Sequence, residues 1–339
     1  MSELEIRHLH VVYDDEPVVK DVSLRVPAGG RLAILGPSGS GKSSILRAIA
    51  GLVPSRGEVL LAGSSLAGVP THRRDVGLMF QDNALFTHLN VVDNVGFGLR
   101  MRGATRSRAR VQAQRFLELV GLEHKREAAV TDLSGGEQQR VALARTLAPG
   151  PAVVLLDEPV GALDRALREE LLVAMTQVFD ELRTTVVMVT HDQSEAFEIG
   201  RDVAVMRDGR ISVAGAAAQV WANPQDSWTA RFLGLNNVME PGQPLHAALG
   251  CVPGVTTLLR PSLSRVADAG DARAARVLTG VVEWSRFRGG LYRAALSELS
   301  VGGSPVPGAR VEVWSDRELE QGPAIAFTIA DDDLVPLND

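Results

Sequence analysis

The fold of this chain can be inferred from the segment Leu32-Ala-Ile-Leu-Gly-Pro-Ser-Gly-Ser-Gly-Lys-Ser43. Its first four residues are apolar and predict a short buried strand, and the glycine-rich part that follows predicts a loop. From Ser43 to Gly51 the apolar residues are spaced as in a helix, and Gly51 suits the helix C-terminus. A strand, a glycine loop and a helix in this order predict an α/β fold with a parallel sheet.

The loop has the spacing Gly-x-x-x-x-Gly-Lys-Ser, which matches the phosphate-binding P-loop. In such a loop the backbone N–H groups cradle phosphates, the lysine reaches the terminal phosphates and the serine ligates Mg2+. The alternative, a glycine-rich turn with a solvent-facing lysine, leaves the flanking strand and helix unexplained. We therefore predict an α/β P-loop NTPase that binds a nucleoside triphosphate together with Mg2+. The residues predicted to hold the nucleotide are Gly36, Pro37, Ser38, Gly39, Ser40, Gly41, Lys42, Ser43 and Ser44.

A second apolar run, Val153-Val-Leu-Leu-Asp157, is followed by Glu158. The run predicts a buried strand whose two acidic residues lie at the carboxyl edge of the sheet, where ligands bind in such folds. We assign Asp157 to Mg2+, together with Ser43, and Glu158 to the polarisation of an attacking water. The alternative for Asp157-Glu158-Pro is a simple helix N-cap, which the presence of the P-loop makes less favourable.

The composition is that of a folded, soluble chain. It has 339 residues, which suggests about two domains, and 45% of them are hydrophobic against 22% charged. The net charge of -6 gives no overall attraction to nucleic acid, so no nucleic-acid partner is expected. The single cysteine, Cys251, fits a reducing compartment, and neither a signal peptide nor an apolar run long enough to span a membrane is visible.

The remaining pattern divides the chain into two expected domains. Residues 1–235 have α/β character, with a predominantly helical insertion at about 89–148, in which Asn90 is a candidate N-cap and Arg106 to Val120 a helix. Strands are predicted at 153–157 and 185–190, and Asp208-Gly209 predicts a tight hairpin turn. Residues 236–339 are interpreted as a linker followed by a small all-β domain, because short alternating segments there are split by Gly and Pro.

The segment Leu133-Ser-Gly-Gly-Glu-Gln-Gln-Arg140, taken with the P-loop and Asp157-Glu158, resembles the signature of the nucleotide-binding subunits of ATP-binding-cassette (ABC) transporters. The resemblance covers about residues 4–235 and implies a RecA-like core with a helical subdomain. It also implies a head-to-tail homodimer, because in that family the signature helix closes on the ATP held by a second copy. The signature residues assigned to the partner's nucleotide are Ser134, Gly135, Gly136 and Gln138.

Four further positions match the family. Tyr13 matches an aromatic that stacks on adenine, although an aromatic on a strand is more often a core residue. Gln81 matches the glutamine that senses Mg2+ and water and is assigned to both metal and catalysis, and His191 matches the histidine that contacts the γ-phosphate. Asp164 matches a loop acid that communicates across the dimer.

Two positions depart from the family pattern. Gly161 stands where these importer subunits commonly have serine, and Thr87 stands where proline is usual. Because neither position belongs to the groups assigned to hydrolysis, the departures concern coupling between subunits more than catalysis.

The resemblance implies an ATPase subunit of a membrane importer, peripheral on the cytoplasmic face of the plasma (inner) membrane. Its implied partners are a second copy of itself, permease subunits and an external solute-binding protein. Leu85 and Phe86 are the expected apolar contacts with the permease, and the C-terminal part resembles the OB-like (TOBE-like) β domain of importer ATPases. Iron, polyamines, thiamine, sulfate and sugars all remain open as cargo. The alternatives are a soluble ABC ATPase that remodels ribosome or DNA complexes and a binding module without hydrolysis.

Overall fold

The computed structural model describes residues 2–82, 84–160, 165–260, 276–288 and 290–339. The chain divides into two compact units, Met1–Ala218 and Gln219–Asp339. The sequence predicts a domain boundary between residues 235 and 236, whereas the two compact units are divided between residues 218 and 219. The division into compact units does not test which parts fold separately, so the predicted boundary stays a proposal. Among the described helices, none combines the length and the apolar character needed to cross a bilayer.

The first unit contains ten strands and seven α-helices among its described residues. Its strands are β1 (Leu4–Tyr13), β2 (Glu16–Val26), β3 (Arg31–Leu35), β4 (Arg56–Leu61), β5 (Ser64–Ser65), β6 (Val76–Met79), β7 (Val153–Asp157), β8 (Thr185–Thr190), β9 (Asp202–Arg207) and β10 (Arg210–Ala216). Its helices are α1 (Lys42–Ala50), α2 (Val91–Val95), α3 (Phe97–Met101), α4 (Arg106–Leu119), α5 (Gly135–Leu147), α6 (Arg165–Leu182) and α7 (Gln193–Ile199).

Six strands form the sheet that carries the predicted site, in the order β10-β9-β3-β8-β7-β6. Strands β9, β3, β8, β7 and β6 run parallel, and β10 returns antiparallel after the Asp208-Gly209 turn. Both turn residues have positive φ, at 50° and 85°, as a tight hairpin requires. Because β3, β8 and β7 are neighbours, the loops after them meet at one edge of the sheet.

A second sheet, β2-β1-β4-β5, is antiparallel and is formed by strands from the N-terminal part of the chain. Helix α1 packs against strands of both sheets. Its buried Ile45, Leu46 and Ile49 belong to the core that the two sheets share. The P-loop is therefore followed by a helix that is fixed on two sides.

The predicted helix boundaries are largely confirmed. Gly51 ends α1 with φ of 73°, and its N–H donates to Ala48. The Asn90 side chain caps α2 by accepting from the Asp93 N–H. Helix α4 begins at Arg106 as predicted and ends at Leu119, because Val120 already leaves helical geometry.

The second unit contains short helices and eight strands among its described residues. Its helices are α8 (Ala217–Ala222, which begins two residues before the unit), α9 (Ser227–Phe232) and α10 (Pro244–Ala248). Its strands are β11 (Val238–Met239), β12 (Thr257–Leu259), β13 (Arg276–Arg288), β14 (Leu291–Val301), β15 (Ser304–Pro305), β16 (Val311–Ser315), β17 (Ala324–Ile329) and β18 (Leu334–Pro336).

These strands form a three-stranded sheet, β11-β12-β18, and a five-stranded sheet in which β16 pairs with β14 beside β15-β14-β13-β17. The expected small β domain is thus present. The segment interpreted as a linker carries β11 and α10, and Leu245 of α10 lies in the core of the β domain. Elements of two to five residues are too short to show a hydrophobic period, which is why the sequence did not reveal them.

Candidate active site

The P-loop backbone allows only glycine at two of its positions. A Cβ on Gly36 would lie 2.4 Å from the Met206 carbonyl oxygen, and one on Gly41 would lie 2.6 Å from that of Val18. Gly41 also has φ of 104°, in the left-handed region that side chains disfavour. The loop is therefore pressed against neighbouring strands, and its form suits the close approach of a phosphate to backbone N–H groups.

Lys42 is buried at the start of α1, and its ammonium group turns back onto the loop. Its Nζ donates to the carbonyl oxygens of Gly36 at 2.8 Å and Pro37 at 2.9 Å. Burial lowers the pKa of Lys42, and the nearby charges of Glu158 and Asp157 oppose this shift. The ammonium group is thus held in the loop by weak carbonyl acceptors that phosphate oxygens could replace.

Ser43 and Asp157 meet across the edge of the sheet. The Ser43 hydroxyl donates to Asp157 Oδ1 at 2.7 Å, and Asp157 is buried at the end of β7. Burial raises the pKa of Asp157, while the Ser43 hydrogen bond lowers it. A desolvated carboxylate beside a hydroxyl oxygen is a donor set that suits Mg2+, which prefers oxygen ligands. The residues therefore fit the predicted metal, whose assignment stays a proposal.

Glu158 lies between the two other residues predicted to be catalytic. Its Oε2 accepts from Gln81 Nε2 at 3.1 Å, and its Oε1 lies 3.1 Å from His191 Nδ1. The Glu158 backbone has φ of 45°, and its N–H donates to the Val189 carbonyl at 3.0 Å. Residues other than glycine rarely adopt this backbone conformation, so the turn after β7 is strained at Glu158. The strained turn determines the direction of this carboxylate.

The segment around His191 is held by contacts that sequence reasoning missed. The Thr190 hydroxyl donates to the buried Glu195 carboxylate at 2.5 Å and accepts from the Asp192 N–H at 3.0 Å. Asp192 in turn caps α7, and Arg168 pairs with it at 3.1 Å. Asp192 followed by Glu195 is a readable helix-start signal, but the Thr190 contact depends on the tertiary fold.

Tyr13 lies at the end of β1, as predicted. Its ring packs against the core of the first unit, and its buried hydroxyl has no hydrogen-bond partner among the described residues. Both the core alternative and a role beside a nucleotide fit this position, so the adenine contact stays a prediction.

The signature segment begins α5 with an exposed N-terminus. Ser134 caps the helix by accepting from the Glu137 N–H, and Glu137 accepts from the Ser134 N–H at 2.9 Å. Ser134 and Gly135 are exposed while Gly136 is buried. The Gln138 amide donates to the carbonyl oxygens of Val130 and Leu133, each at 3.2 Å. These contacts all lie within the helical segment, and none of the hydrogen bonds described for Ser134 or Gln138 joins them to the P-loop of their own chain.

Lys125 is a site residue that the sequence did not point to. Its Nζ lies 2.5 Å from Glu137 Oε1, and this contact, followed by the Ser134 N–H, lowers the pKa of Glu137 to about 2. The ion pair holds the carboxylate of the capping box in place. It also offsets the negative charge of Glu137, which would otherwise repel an anion at this helix N-terminus.

We expect Lys125→Met to lower the free energy of unfolding by about 0.5–1 kcal/mol, a typical value for a partly exposed ion pair. In a Glu137→Gln background the same substitution should have almost no effect, because glutamine keeps the capping box without the charge. The lowered pKa of Glu137 means that the coupling is fully present above pH 4.5 and declines only toward pH 2. Urea unfolding of the wild type, the two single variants and the double variant measures this coupling. It should be the same at pH 8 and at pH 5, because both values lie above 4.5. An equal cost of Lys125→Met in both backgrounds would contradict the pairing.

The remaining predictions concern five positions, namely Asp164, Gly161, Thr87, Leu85 and Phe86. Asp164 and the departure at Gly161 lie outside the described residues, and Thr87 is exposed. Leu85 and Phe86 are half-buried. The backbone of Phe86 is fixed by Asn94, whose Oδ1 accepts from the Phe86 N–H at 2.9 Å and whose Nδ2 donates to its carbonyl at 3.0 Å.

A groove of about 370 Å3 lies beside Phe86, and we name it the aromatic groove. Its walls include Phe80, Phe86, Phe97 and Arg145. The rings of Phe86 and Phe97 are 4.5 Å apart, and the Arg145 guanidinium lies 5.4 Å from the centre of the Phe86 ring. Arg145 also donates to the Ala84 carbonyl at 2.7 Å. The groove thus combines partly exposed aromatic rings with one ordered cation.

Comparison with known proteins places this site in a family. The family model described as "ABC transporter" matches residues 19–161. The Fe(3+) ions import ATP-binding protein FbpC of Streptomyces coelicolor is 48% identical, covering 80% of this chain and 81% of that protein. The spermidine/putrescine import ATP-binding protein PotA of Trichormus variabilis is 44% identical, covering 70% and 63%.

Two solved structures support the same fold. CbiO1 from Clostridium perfringens, part of the ABC transporter complex CbiONQ, has a TM-score of 0.60 at 28% identity and covers 65% of this chain and 91% of its own. A dimeric structure of MJ0796, described as a bacterial ABC transporter cassette, has a TM-score of 0.57 at 30% identity and covers 63% and 98%. The predicted cassette fold with an appended β domain is confirmed. The chain therefore belongs to the ABC transporter family and is an ATPase.

Proposed function

We propose that this chain is the ATP-hydrolysing subunit of a membrane importer. The observation that carries the hydrolytic part is the placement of Glu158 between Gln81 and His191, beside the Ser43–Asp157 pair. The import part is supported by the relatives, whose names describe import ATP-binding proteins. No relative reported above is described as acting on ribosomes or DNA, so the remodelling alternative is not favoured.

In this proposal Glu158 orients and polarises the attacking water. Both of its carboxylate oxygens have a partner, Gln81 at one and His191 at the other, so the plane of the carboxylate is fixed. A base held in a fixed orientation contributes to the rate because the proton acceptor is already in place when the water attacks. Gln81 and His191 act as positioning residues for that carboxylate, and in the family His191 contacts the γ-phosphate.

Lys42 and the loop backbone bind the phosphates. The Lys42 ammonium exchanges its two carbonyl acceptors for phosphate oxygens, which are stronger partners because they are charged. When bound, Mg2+ neutralises charge that develops on the phosphates. Ser43 and Asp157 are the residues that would hold it, and the hydrogen bond between them already brings their oxygens together.

A second copy of the chain completes the site in this proposal. Ser134 and Gly135 are exposed, and their contacts lie within their own helical segment, so they are accessible to the nucleotide on another chain. The similar MJ0796 cassette is described as dimeric. ATP binding would therefore close two copies head to tail, and hydrolysis would reset them.

The aromatic groove is the proposed docking site for a permease. Its rings are partly exposed, and Asn94 holds the backbone of Phe86, so the groove is preformed for a short apolar helix. The chain would then lie on the cytoplasmic face of the membrane through its partner. An external solute-binding protein would deliver the cargo to that permease.

Ferric iron is the cargo we propose. The alignment with the FbpC protein of Pseudomonas fluorescens covers 89% of this chain at 41% identity, so it reaches well into the second unit. The PotA relatives match over 70% of the chain. Similarity that includes the appended β domain favours the iron group over the polyamine group.

Affinity purification of tagged Glu158→Gln protein from its own detergent-solubilised membranes, with ATP, tests this function. We expect a multispanning permease and a solute-binding protein, identified by mass spectrometry, and ATPase stimulation of the wild-type complex by the ferric form of that binding protein. Ribosomal or DNA-repair proteins without a permease would overturn the importer assignment. Stimulation by spermidine instead of iron would overturn only the cargo.

The groove has its own variant in the same experiment. We expect Phe86→Asp to reduce permease recovery at least about tenfold, because it puts a charge into an apolar contact. Phe287→Asp is the matched control, since Phe287 is an exposed phenylalanine of β13. Undiminished permease recovery with Phe86→Asp would exclude the groove as the docking site.

A further inference from the structure

The second unit contains a cavity of about 530 Å3, which we name the tryptophan pocket. All of its described lining residues belong to this unit, and they include Trp221, Trp314, Leu259, Glu312, Asp332 and Arg260. The volume lies within the range of small-molecule sites, and the wall combines an apolar aromatic part with a few charged groups, as such sites do. None of these residues takes part in the ATPase site described above.

Strand β16 supplies one wall through its alternation. Val311, Val313 and Ser315 are buried, whereas Glu312 and Trp314 are half-buried on the opposite face. A carboxylate and an indole ring therefore stand side by side toward the pocket. The indole ring already lies 5.8 Å from the guanidinium carbon of Arg293, so this tryptophan does hold a cation in the structure.

Glu312 is held in place by hydrogen bonds to one of its two carboxylate oxygens and to its backbone. Asn236 Nδ2 donates to Glu312 Oε2 at 3.1 Å, and Arg293 donates to the same oxygen. Asn237 clamps the backbone, accepting from the Glu312 N–H at 2.8 Å and donating to its carbonyl at 2.7 Å. Every hydrogen bond described for the carboxylate ends on Oε2, which leaves Oε1 for a further donor.

The charges of the described wall select the sign of a ligand. Three carboxylates, those of Glu312, Asp332 and Asp333, stand against two guanidinium groups, that of Arg260 in the lining and that of Arg293, which pairs with Glu312. Arg260 is also engaged with the wall itself, because its guanidinium donates to the Ala222 carbonyl at 3.0 Å. An anion would therefore meet net repulsion, whereas a cation would find aromatic faces and carboxylate acceptors.

Two other classes of ligand fit less well. A neutral polyol could use the second N–H of the Asn236 and Asn237 amides, whose first N–H donates to Glu312, but it would leave the excess negative charge of the wall uncompensated. A metal ion needs several converging ligands, and no group of three or more His, Cys, Asp or Glu suited to a metal occurs in the described part of the chain.

We propose that the tryptophan pocket binds a small organic ammonium ion, with Trp221 and Trp314 against its apolar part and Glu312 and Asp332 accepting its charge. Aromatic rings beside carboxylates are the partners that recognise organic ammonium ions. Such a site gives the second unit a ligand of its own, separate from the nucleotide.

Equilibrium dialysis of the full-length chain without nucleotide tests this proposal, so its outcome is independent of ATP hydrolysis and of any permease. The probes are choline and butylammonium, with uncharged dimethylbutanol and butanol as controls of matched shape. We expect saturable binding of at least one cation with a Kd in the millimolar range or tighter, and at least about tenfold weaker binding of the alcohols. Absence of saturable binding of both cations, or equal binding of the alcohols, overturns the proposal.

Substitutions place the binding site. We expect Trp314→Leu to weaken cation binding at least about tenfold and the exposed Asp332→Asn to weaken it about threefold. Trp284→Leu is the matched control, because Trp284 lies in the same unit, also carries an arginine over its ring, and does not line the pocket. Unfolding curves identify any variant that fails to fold. If the Trp314→Leu protein does not fold, the Asp332→Asn protein still tests the site. Equal loss with Trp284→Leu would exclude the pocket.

Discussion

Replacing Glu158 with glutamine should lower ATP turnover by a factor of about 10²–10⁴, while ATP still binds. The amide has the shape of the carboxylate and can keep a hydrogen bond with Gln81, but it cannot take a proton from water. The bound nucleotide should then persist and hold two copies of the chain together. Phosphate release measures turnover, and gel filtration with ATP and Mg2+ measures the dimer.

Glu118→Gln is the matched control for this experiment. Glu118 is an exposed glutamate of α4, far in sequence from the loops that carry the site, so its variant should keep the wild-type rate and return to the monomer after turnover. An unchanged rate of phosphate release in the Glu158→Gln protein would remove Glu158 from the activation of water. An ATP-bound dimer of the Glu158→Gln protein, together with a strongly reduced rate of phosphate release, would support the role of Glu158 in activating water.

Replacing Lys42 with alanine should weaken ATP binding at least about a hundredfold. Lys42 is buried, and truncation of one partner in a buried charge pair typically costs 2–5 kcal/mol of binding, where each 1.4 kcal/mol is a factor of ten. Titration calorimetry with ATP and Mg2+ measures the affinity. Turnover should be lost with it, because the phosphates are no longer positioned.

The fold should survive this change. In the structure Lys42 donates only to two backbone carbonyls, and burial disfavours its charged form, as the lowered pKa shows. The thermal unfolding midpoint of Lys42→Ala should therefore stay close to that of the wild type. Lys20→Ala, on β2, is the matched control and should bind ATP normally. Wild-type ATP affinity of the Lys42→Ala protein would contradict the proposed role.

The local parts of the site could be predicted from the sequence because each is a short motif with its own geometry. Gly36 and Gly41 are glycines for reasons of backbone approach, and a carboxylate after the strand Val153–Asp157 lies at the edge of a parallel sheet. These features are encoded by neighbouring residues, so spacing alone identifies them. The positive φ of Glu158, by contrast, depends on the Val189 carbonyl of another strand.

Contacts between distant segments could not be predicted. Lys125 meets Glu137, and Thr190 meets Glu195, through contacts that leave no spacing pattern, although each of the two glutamates stands in a recognisable helix start. The same holds for the tryptophan pocket. Trp221 and Trp314 are far apart in the sequence and reach one cavity through the folding of the chain, in which β16 pairs with β14.

The P-loop, the acidic pair at the end of the strand Val153–Asp157 and the signature segment were enough to predict an ATPase, because each is a short motif of particular residue types. How Glu158 is held, which contacts hold the signature helix and where a second ligand could bind became visible in the folded chain. Hydrogen bonds and aromatic contacts between remote segments depend on strand order and register, which hydrophobic periodicity does not specify.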